Sequence, residues 1–251
     1  IAIMRDCGSM AVDDDFLYVA SGAQCLALKV RTGEVSRRIS IPDETLATSH
    51  EWGYVAKVGE MLLGSAVKKG GIRRQYGDEG IRETYWDNRP PVCSDLLYAI
   101  DPASGKARWT YRPVDSGVLV NSSLAVSSGW VHFLETPLPA ETGRLPYDKM
   151  LADGKGVLVT LGLASGKVLR RELLPAKSGV QNLYLIATKG MVLVVNSRNK
   201  KTVRYDVRTY DADSGRLLWE RTQDSRQKLN GSHGEQDRHP VVLNDELYVE
   251  P

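Results

Sequence analysis

The chain has 251 residues, of which 42% are hydrophobic and 25% charged, the ordinary composition of a globular protein rather than of a collagen or a disordered chain. Lysine and arginine number 33 against 31 acidic residues, and a net charge of +2 does not indicate nucleic acid or anionic lipid as a partner. No apolar run approaches the roughly 20 residues that cross a bilayer, so no transmembrane segment is predicted.

The three cysteines are Cys7, Cys25 and Cys93, and they show neither CxxC nor CxxCH spacing. The sequence therefore predicts no disulfide framework, zinc knuckle or c-type haem. We expect buried free thiols, with a pairing of Cys7 and Cys25 as the alternative. The chain opens without an initiator Met or a signal peptide and closes within a strand-like segment at 247–251, which predicts a fragment of a longer chain.

A strand, a turn that ends in glycine and a second strand recur four times. The turn glycines are Gly33, Gly105, Gly166 and Gly215. In the second and fourth copies an aspartate precedes the glycine by four positions and a tryptophan follows it by four: Asp101 and Trp109, then Asp211 and Trp219. The aspartate can accept hydrogen bonds from the turn backbone, and the glycine can take a positive φ. We therefore predict four hairpins, with the tryptophan covering the gap between neighbouring sheets.

A further hairpin precedes each copy, with the alternation of apolar and polar residues that is typical of strands. Its strands are predicted at 10–12 with 16–20, 54–58 with 61–64, 124–126 with 130–134, and 183–186 with 191–196. Helical turns are expected only at 41–48 and 147–151. Tandem units of four short antiparallel strands predict an all-β protein built of β-propeller blades, and a sandwich with Greek-key crossovers is the alternative.

Residues 97–109 and 209–219 resemble the repeat of the PQQ-like propeller superfamily, LYALDxxTGKxxW. Quinoprotein dehydrogenases share this repeat with non-catalytic relatives of the outer-membrane assembly lipoprotein BamB. Blades one and three match it poorly, with Lys29 and Gly162 at the aspartate position and Arg37 and Arg170 at the tryptophan position. The stretches 50–54, 92–94 and 231–240 also resemble a branch of large bacterial extracytoplasmic multidomain propeller proteins, which implies an extracytoplasmic location.

The blades are predicted at roughly 8–41, 52–113, 121–175 and 182–223, with the start of a fifth at 239–251. The resemblance implies a ring of seven or eight blades, so about four and a half are present. Because open sheet edges invite pairing, we expect the remaining blades of the same chain or another polypeptide to cover them.

We name the four predicted strands of each blade A to D, from the central channel to the rim. In this order the B-to-C and D-to-A connections lie on one face of the propeller. The long insertions fall in those connections, at 68–91, 135–156, 42–51 and 222–238. Candidate binding residues on this face are His50, Trp52, Arg73, Arg74, Tyr76 and Trp86. The cations could hold an acidic partner and the aromatic rings a flat ligand. The alternatives are a solvated loop and rings that pin it to the surface.

The densest set of possible metal ligands is His233, Glu235, Asp237 and His239. Alternate residues of an extended segment share one side, so imidazoles and carboxylates at this spacing could hold zinc or another divalent ion. The alternative is that Asp237 and His239 bond to loop backbone and that His233 is exposed.

A quinoprotein dehydrogenase would require adjacent cysteines, a stacking tryptophan and calcium ligands, and the chain has no Cys-Cys pair and no assignable calcium set. PQQ and calcium are therefore not supported, and no catalytic residue is assigned. We expect a non-catalytic interaction or ligand-binding platform within a larger extracytoplasmic protein. The alternative is part of a quinoprotein-type or electron-transfer oxidoreductase whose cofactor residues lie elsewhere.

Overall fold

The computed structural model describes residues 2–4, 10–75, 90–127, 129–175, 179–199, 202–228, 240–244 and 246–248. Antiparallel strands dominate these residues. The helical elements are the helix α1 at Tyr147–Leu151 and 3₁₀ turns at Glu44–Leu46, Val114–Ser116, Asn121–Ser123 and Ala152–Gly154. The predicted all-β fold is confirmed, and two of these helical elements fall in the predicted windows 41–48 and 147–151.

Three sheets are meanders of four antiparallel strands, which we name A to D in chain order. Blade 1 contains β2 (Met10–Val12), β3 (Phe16–Ser21), β4 (Gln24–Lys29) and β5 (Val35–Ser40). Blade 2 contains β6 (His50–Val58), β7 (Met61–Lys68), β10 (Leu96–Ile100) and β11 (Ala107–Tyr111). Blade 4 contains β17 (Val180–Thr188), β18 (Met191–Asn199), β19 (Thr202–Asp211) and β20 (Leu217–Lys228). These sheets confirm the prediction of blades made of four antiparallel strands.

Blade 3 has a divided inner strand. Its outer three strands are β14 (Trp130–Thr136), β15 (Val157–Gly162) and β16 (Val168–Leu173). Both β12 (Val118–Val120) and β13 (Ala125–Ser127) pair with β14, and β9 (Cys93–Ser94) pairs with β12. The sequence pattern predicted only the second half of this inner strand, because the turn at Asn121–Ser123 interrupts the apolar alternation.

Two further pairs lie outside the four blades. β1 (Ala2–Met4) pairs with β8 (Arg73–Gln75), and β21 (Val241–Leu243) pairs with β22 (Glu246–Tyr248). The second pair lies within the segment predicted to begin a fifth blade. The ring of seven or eight blades stays a prediction.

In blades 2 and 3, apolar side chains on opposite faces of the sheet pack against different neighbouring blades. In blade 2, Leu62 and Tyr98 join Tyr18 of blade 1 in one buried cluster. Leu63, one residue along the same strand, joins Phe133 of blade 3 in the next cluster. A third cluster joins blades 3 and 4 and includes Leu134, Leu158, Leu185 and Val194. Burial between successive sheets is the packing that holds tandem blades together.

The four C–D turns share one backbone geometry. In each, the glycine N–H donates to the carbonyl four residues earlier at 2.8 Å, and the glycine φ lies between 65° and 72°. Asp101 also accepts from the backbone N–H groups of Ala103 and Ser104, as predicted. Blades 1 and 3 lack the aspartate and keep the turn, because the backbone bond and the glycine suffice to close it.

The outer strands of blade 4 are longer than predicted. A D-to-A loop was expected from residue 222, and instead β20 continues to Lys228. It does so because β19 begins as early as Thr202 and pairs along its whole length with β20.

Candidate interaction face

The two ends of the blades carry different kinds of connection. Because neighbouring antiparallel strands run in opposite directions, the A–B and C–D turns lie at one end, here called the turn face. The B–C and D–A connections lie at the other end, the loop face. The insertion of blade 2 (69–95) and the insertion of blade 3 (137–156) both leave from the loop face. Long loops on a rigid scaffold are where binding residues concentrate, so the loop face is the candidate site.

The two insertions are hydrogen-bonded to each other. Arg144 donates from Nε to the Gly71 carbonyl and from Nη1 to the Pro90 carbonyl, both at 2.7 Å. The Cys93 N–H donates to the Gly143 carbonyl at 2.8 Å. Hydrogen bonds from a charged donor are stronger than neutral ones, and here they join segments more than fifty residues apart in sequence.

The insertion of blade 3 also contacts blade 4. The Tyr147 hydroxyl of α1 donates to the Leu183 carbonyl at 3.3 Å, and the Asp148 carboxylate accepts the Gly179 N–H at 3.1 Å. Met150 and Leu151, on the next turn, are buried in the cluster between blades 3 and 4. One insertion therefore links three successive blades across the loop face.

The base of this insertion is fixed by a buried carboxylate. Glu135 lies near the end of β14 and receives Arg171 Nη1 at 2.6 Å and the Tyr111 hydroxyl. Burial, together with the hydrogen bond to the Glu135 carboxylate, raises the pKa of Tyr111, so the phenol stays protonated and donates. The contact joins β11 of blade 2 to β14 and β16 of blade 3.

His50 lies at the start of β6 on the loop face and is hydrogen-bonded at both ring nitrogens. Its Nε2 lies 2.8 Å from an Asp95 carboxylate oxygen, and its Nδ1 lies 2.8 Å from the Ser49 hydroxyl. A carboxylate oxygen accepts hydrogen bonds, so the Nε2 side of the ring faces an acceptor in Asp95, and the Nδ1 side faces the Ser49 hydroxyl. The His50 side chain is only 7% exposed. Its contact with Asp95 joins the start of strand A of blade 2 to the residue just before strand C.

The other predicted binding residues lie in different places. Trp52 is 1% exposed and packs edge-on against Tyr98 between blades 1 and 2, so it is a core residue and does not line the loop surface predicted for it. Arg73 and Arg74 belong to β8, and their pairing partners are in β1. Tyr76 and Trp86 lie outside the described residues.

A bulge explains the position of Trp52. The pairing of β6 with β7 shifts register between Trp52 and Tyr54, and Gly53 is the extra residue. The bulge changes which residues share a face, so Trp52 and Val55, an odd number of positions apart, lie in the same cluster. Period-two alternation read from the sequence cannot anticipate this change of face.

The predicted metal ligands His233, Glu235, Asp237 and His239 lie outside the described residues. Among the residues that the structure describes, no group of three or more His, Cys, Asp or Glu side chains is placed to hold a metal ion. Cys25 and Cys93 are buried free thiols in two different clusters, and burial raises the pKa of each to about 12. We derive no chemistry through calcium or a quinone.

Comparison with known proteins decides the family. Residues 94–250, more than half of the chain, match the family model described as outer membrane protein assembly factor BamB. The chain belongs to this family of PQQ-like propellers. No protein with curated function matches the sequence.

Solved structures give distant likenesses to this BamB-like chain. Hydrazine synthase of Kuenenia stuttgartiensis is 12% identical, with 92% of this chain and 56% of that chain covered at a TM-score of 0.51. BamB of Moraxella catarrhalis is 12% identical over 86% of this chain and 64% of its own, at a TM-score of 0.39. Quinohemoprotein alcohol dehydrogenase of Comamonas testosteroni is 21% identical, with 67% of this chain and 20% of that chain covered, at a TM-score of 0.37.

The chain spans less than two thirds of each of these three proteins. At these identities the likeness to hydrazine synthase shows the fold alone. In the described part of the BamB-like chain, none of the helices has the length and apolar character needed to cross a membrane.

A buried polar network near the inner strands was not predicted. Asn121 accepts the Ser94 hydroxyl at 2.7 Å through Oδ1 and donates through Nδ2 to the Gly53 carbonyl at 3.0 Å. A Cβ on Gly53 would lie 2.6 Å from that Nδ2 atom, so only glycine fits. Serine and asparagine are common in loops, and no sequence signal distinguishes these from exposed ones.

Proposed function

We propose that this chain is a non-catalytic platform that binds another polypeptide through its loop face. The observation that carries the proposal is the packing of the two insertions. Arg144 joins the blade 3 insertion to that of blade 2, and Tyr147 joins it to blade 4. A surface held at three blades is preorganised, so little conformational entropy is lost when a partner binds.

The outward side of the blade 3 insertion suits a protein partner. Its exposed charged side chains are Glu141, Asp148, Lys149 and Asp153, and its apolar residues point into the cluster below. Exposed charges of both signs on a rigid scaffold favour the specific and oriented binding of a polypeptide. A small molecule would instead be bound in a deep and mostly apolar pocket.

The family supports a role outside the cytoplasm. Its model is described as an outer membrane protein assembly factor. We extend to this chain only the idea that its blades serve assembly or capture of polypeptides.

Face-specific photocross-linking tests the proposal. A photoreactive phenylalanine analogue is placed at Glu141 or Lys149 on the loop face, and at Ser104 or Asp213 as matched exposed positions on the turn face. We expect discrete adducts with another polypeptide, identified by mass spectrometry, from the loop-face positions only. Equal labelling from both faces, or labelling only from the turn face, would contradict the proposal.

A further inference from the structure

A serine, a histidine and an aspartate lie in line on the loop face. The Ser49 hydroxyl oxygen is 2.8 Å from His50 Nδ1, and His50 Nε2 is 2.8 Å from an Asp95 carboxylate oxygen. In proteins that use a serine as a nucleophile, the hydroxyl lies within hydrogen-bond reach of a base, and a third group orients that base. These three side chains have that arrangement, and the polypeptide binding proposed above does not use it.

Backbone hydrogen bonds hold both ends of this line. The Ser49 N–H donates to the Leu46 carbonyl at 3.1 Å, and the Ser49 carbonyl accepts the Lys69 N–H at 2.9 Å. At the other end, the Asp95 N–H donates to the Ala66 carbonyl of β7 at 2.9 Å. The hydroxyl and the carboxylate are therefore positioned before any reagent arrives, which lowers the entropic cost of a reaction at the serine.

The exposure of the three side chains suits a reaction at the serine. Ser49 is exposed, whereas the His50 side chain is buried and the Asp95 side chain is 21% exposed. A reagent can therefore reach the hydroxyl, while the base and the carboxylate are largely shielded from water. Shielding strengthens the hydrogen bond between the imidazole and the carboxylate relative to the same contact in water.

Lys68 connects this line to the insertion of blade 3. It lies opposite His50 in the pairing of β6 with β7, and its ammonium is 4.0 Å from the Asp95 oxygen that faces the histidine. The same ammonium donates to the Ala140 carbonyl of the insertion at 3.1 Å. The three side chains thus belong to the loop face, and the insertion of blade 3 lies beside them.

We propose that Ser49 is an acylation site, with His50 as its base and Asp95 as the residue that positions the base. With its proton on Nε2 and directed at Asp95, the ring accepts the Ser49 proton at Nδ1. The Ser49 oxygen forms a bond to the carbonyl carbon of an ester or a thioester. The bond from that carbon to the alkoxide or thiolate breaks, and the leaving group takes the proton from His50. One transfer per chain completes the modification, so the site goes beyond the binding role without requiring turnover.

Labelling with a fluorophosphonate tests the reactivity of Ser49 in the 251-residue chain. The phosphorus of this probe forms a bond to an activated serine oxygen and releases fluoride. We expect an adduct that tandem mass spectrometry places at Ser49. Ser104 is an exposed serine of the turn face whose hydroxyl accepts the Lys106 N–H, and it serves as the internal control. It should be labelled about 100-fold more slowly, because a positioned base accelerates proton transfer by at least about that factor.

p-Nitrophenyl acetate tests the acyl transfer itself. Its acetyl group should be found at Ser49, with release of p-nitrophenolate over the same time course. The Ser49→Ala chain is the matched control, since it measures acetylation of lysines and release without the hydroxyl. The difference between the two chains should reach one p-nitrophenolate per chain.

Variants separate the base from the residue that positions it. His50→Gln, which keeps a hydrogen-bonding side chain but no base, should slow fluorophosphonate labelling about 100-fold. Asp95→Asn keeps the size of the side chain and removes its charge, whereas Asp95→Glu keeps the carboxylate. We expect Asp95→Asn to slow labelling about tenfold or more and Asp95→Glu to slow it less. A purely structural role for Asp95 would give the reverse order, because asparagine keeps the shape of aspartate.

Three outcomes would overturn the proposal. The first is that neither reagent modifies Ser49 in the unaltered chain. The second is labelling of Ser49 no faster than that of Ser104, a comparison that needs no variant and so does not depend on how a variant folds. The third is full labelling of a His50→Gln chain whose circular dichroism matches that of the unaltered chain, which would make Ser49 an ordinary exposed serine.

Discussion

Individual buried residues set how this chain responds to pH. His132 lies fully buried on β14, with Nδ1 3.0 Å from the Thr160 hydroxyl and no partner for Nε2 among the described residues. Burial, and to a lesser degree the positive charge of Arg170, lower the pKa of His132 from 6.5 to about 4. The folded protein therefore holds this ring neutral where the unfolded chain would protonate it.

The consequence is a loss of stability in mild acid. Between pH 6.5 and about 4 the unfolded state binds the proton and the folded state does not, so the free energy of unfolding falls as pH falls. The loss is about 3 kcal/mol, since a tenfold change in proton affinity is worth about 1.4 kcal/mol. Urea unfolding at pH 7 and pH 4.5 measures it. His132→Gln, which retains a partner for Thr160, should flatten the profile, and parallel profiles for the two proteins would contradict the assignment.

At the scale of elements, the repeat in the sequence predicts the turns well. Gly33, Gly105, Gly166 and Gly215 all close C–D turns, because a tight turn depends on local backbone geometry that a few adjacent residues determine. The burial of Trp52 and the split inner strand of blade 3 were not predicted. They depend on a bulge at Gly53 and on pairing between β9 and β12, which are non-local features.

The contact between blades 2 and 3 gives a prediction at this scale. Trp109→Phe should lower the free energy of unfolding by about 1 to 2 kcal/mol, because the Leu163 carbonyl loses its donor in a largely buried place. Trp109→Ala should cost about 3 to 5 kcal/mol, since a cavity is added. Trp219→Phe is the matched control and should change stability by less than about 0.5 kcal/mol. Denaturant unfolding measures all three, and equal losses at both tryptophans would refute this role for Trp109.

For the molecule as a whole, the sequence predicts the blades better than the candidate site. Alternating apolar patterns and turns are local features of the sequence, so the order of the sheets along the chain can be predicted from it. The loop face depends on contacts between insertions that are distant in sequence, such as those of Arg144 with Gly71 and Pro90. No residue spacing in the sequence predicts these contacts. Of the predicted binding residues, His50 is held by Ser49 and Asp95 and so has a structural role in this face.

Hydrogen–deuterium exchange on the loop face tests the central claim most directly. If the two insertions form one fixed surface, the amides of Cys93 and Gly143 should exchange slowly, because both are hydrogen-bonded within it. Arg144→Ala should speed their exchange while that of β14 and β15 stays unchanged, and Arg108→Ala, at an exposed position of β11, is the matched control. Exchange at Cys93 and Gly143 as fast as in an unstructured peptide, with or without Arg144, would contradict the account.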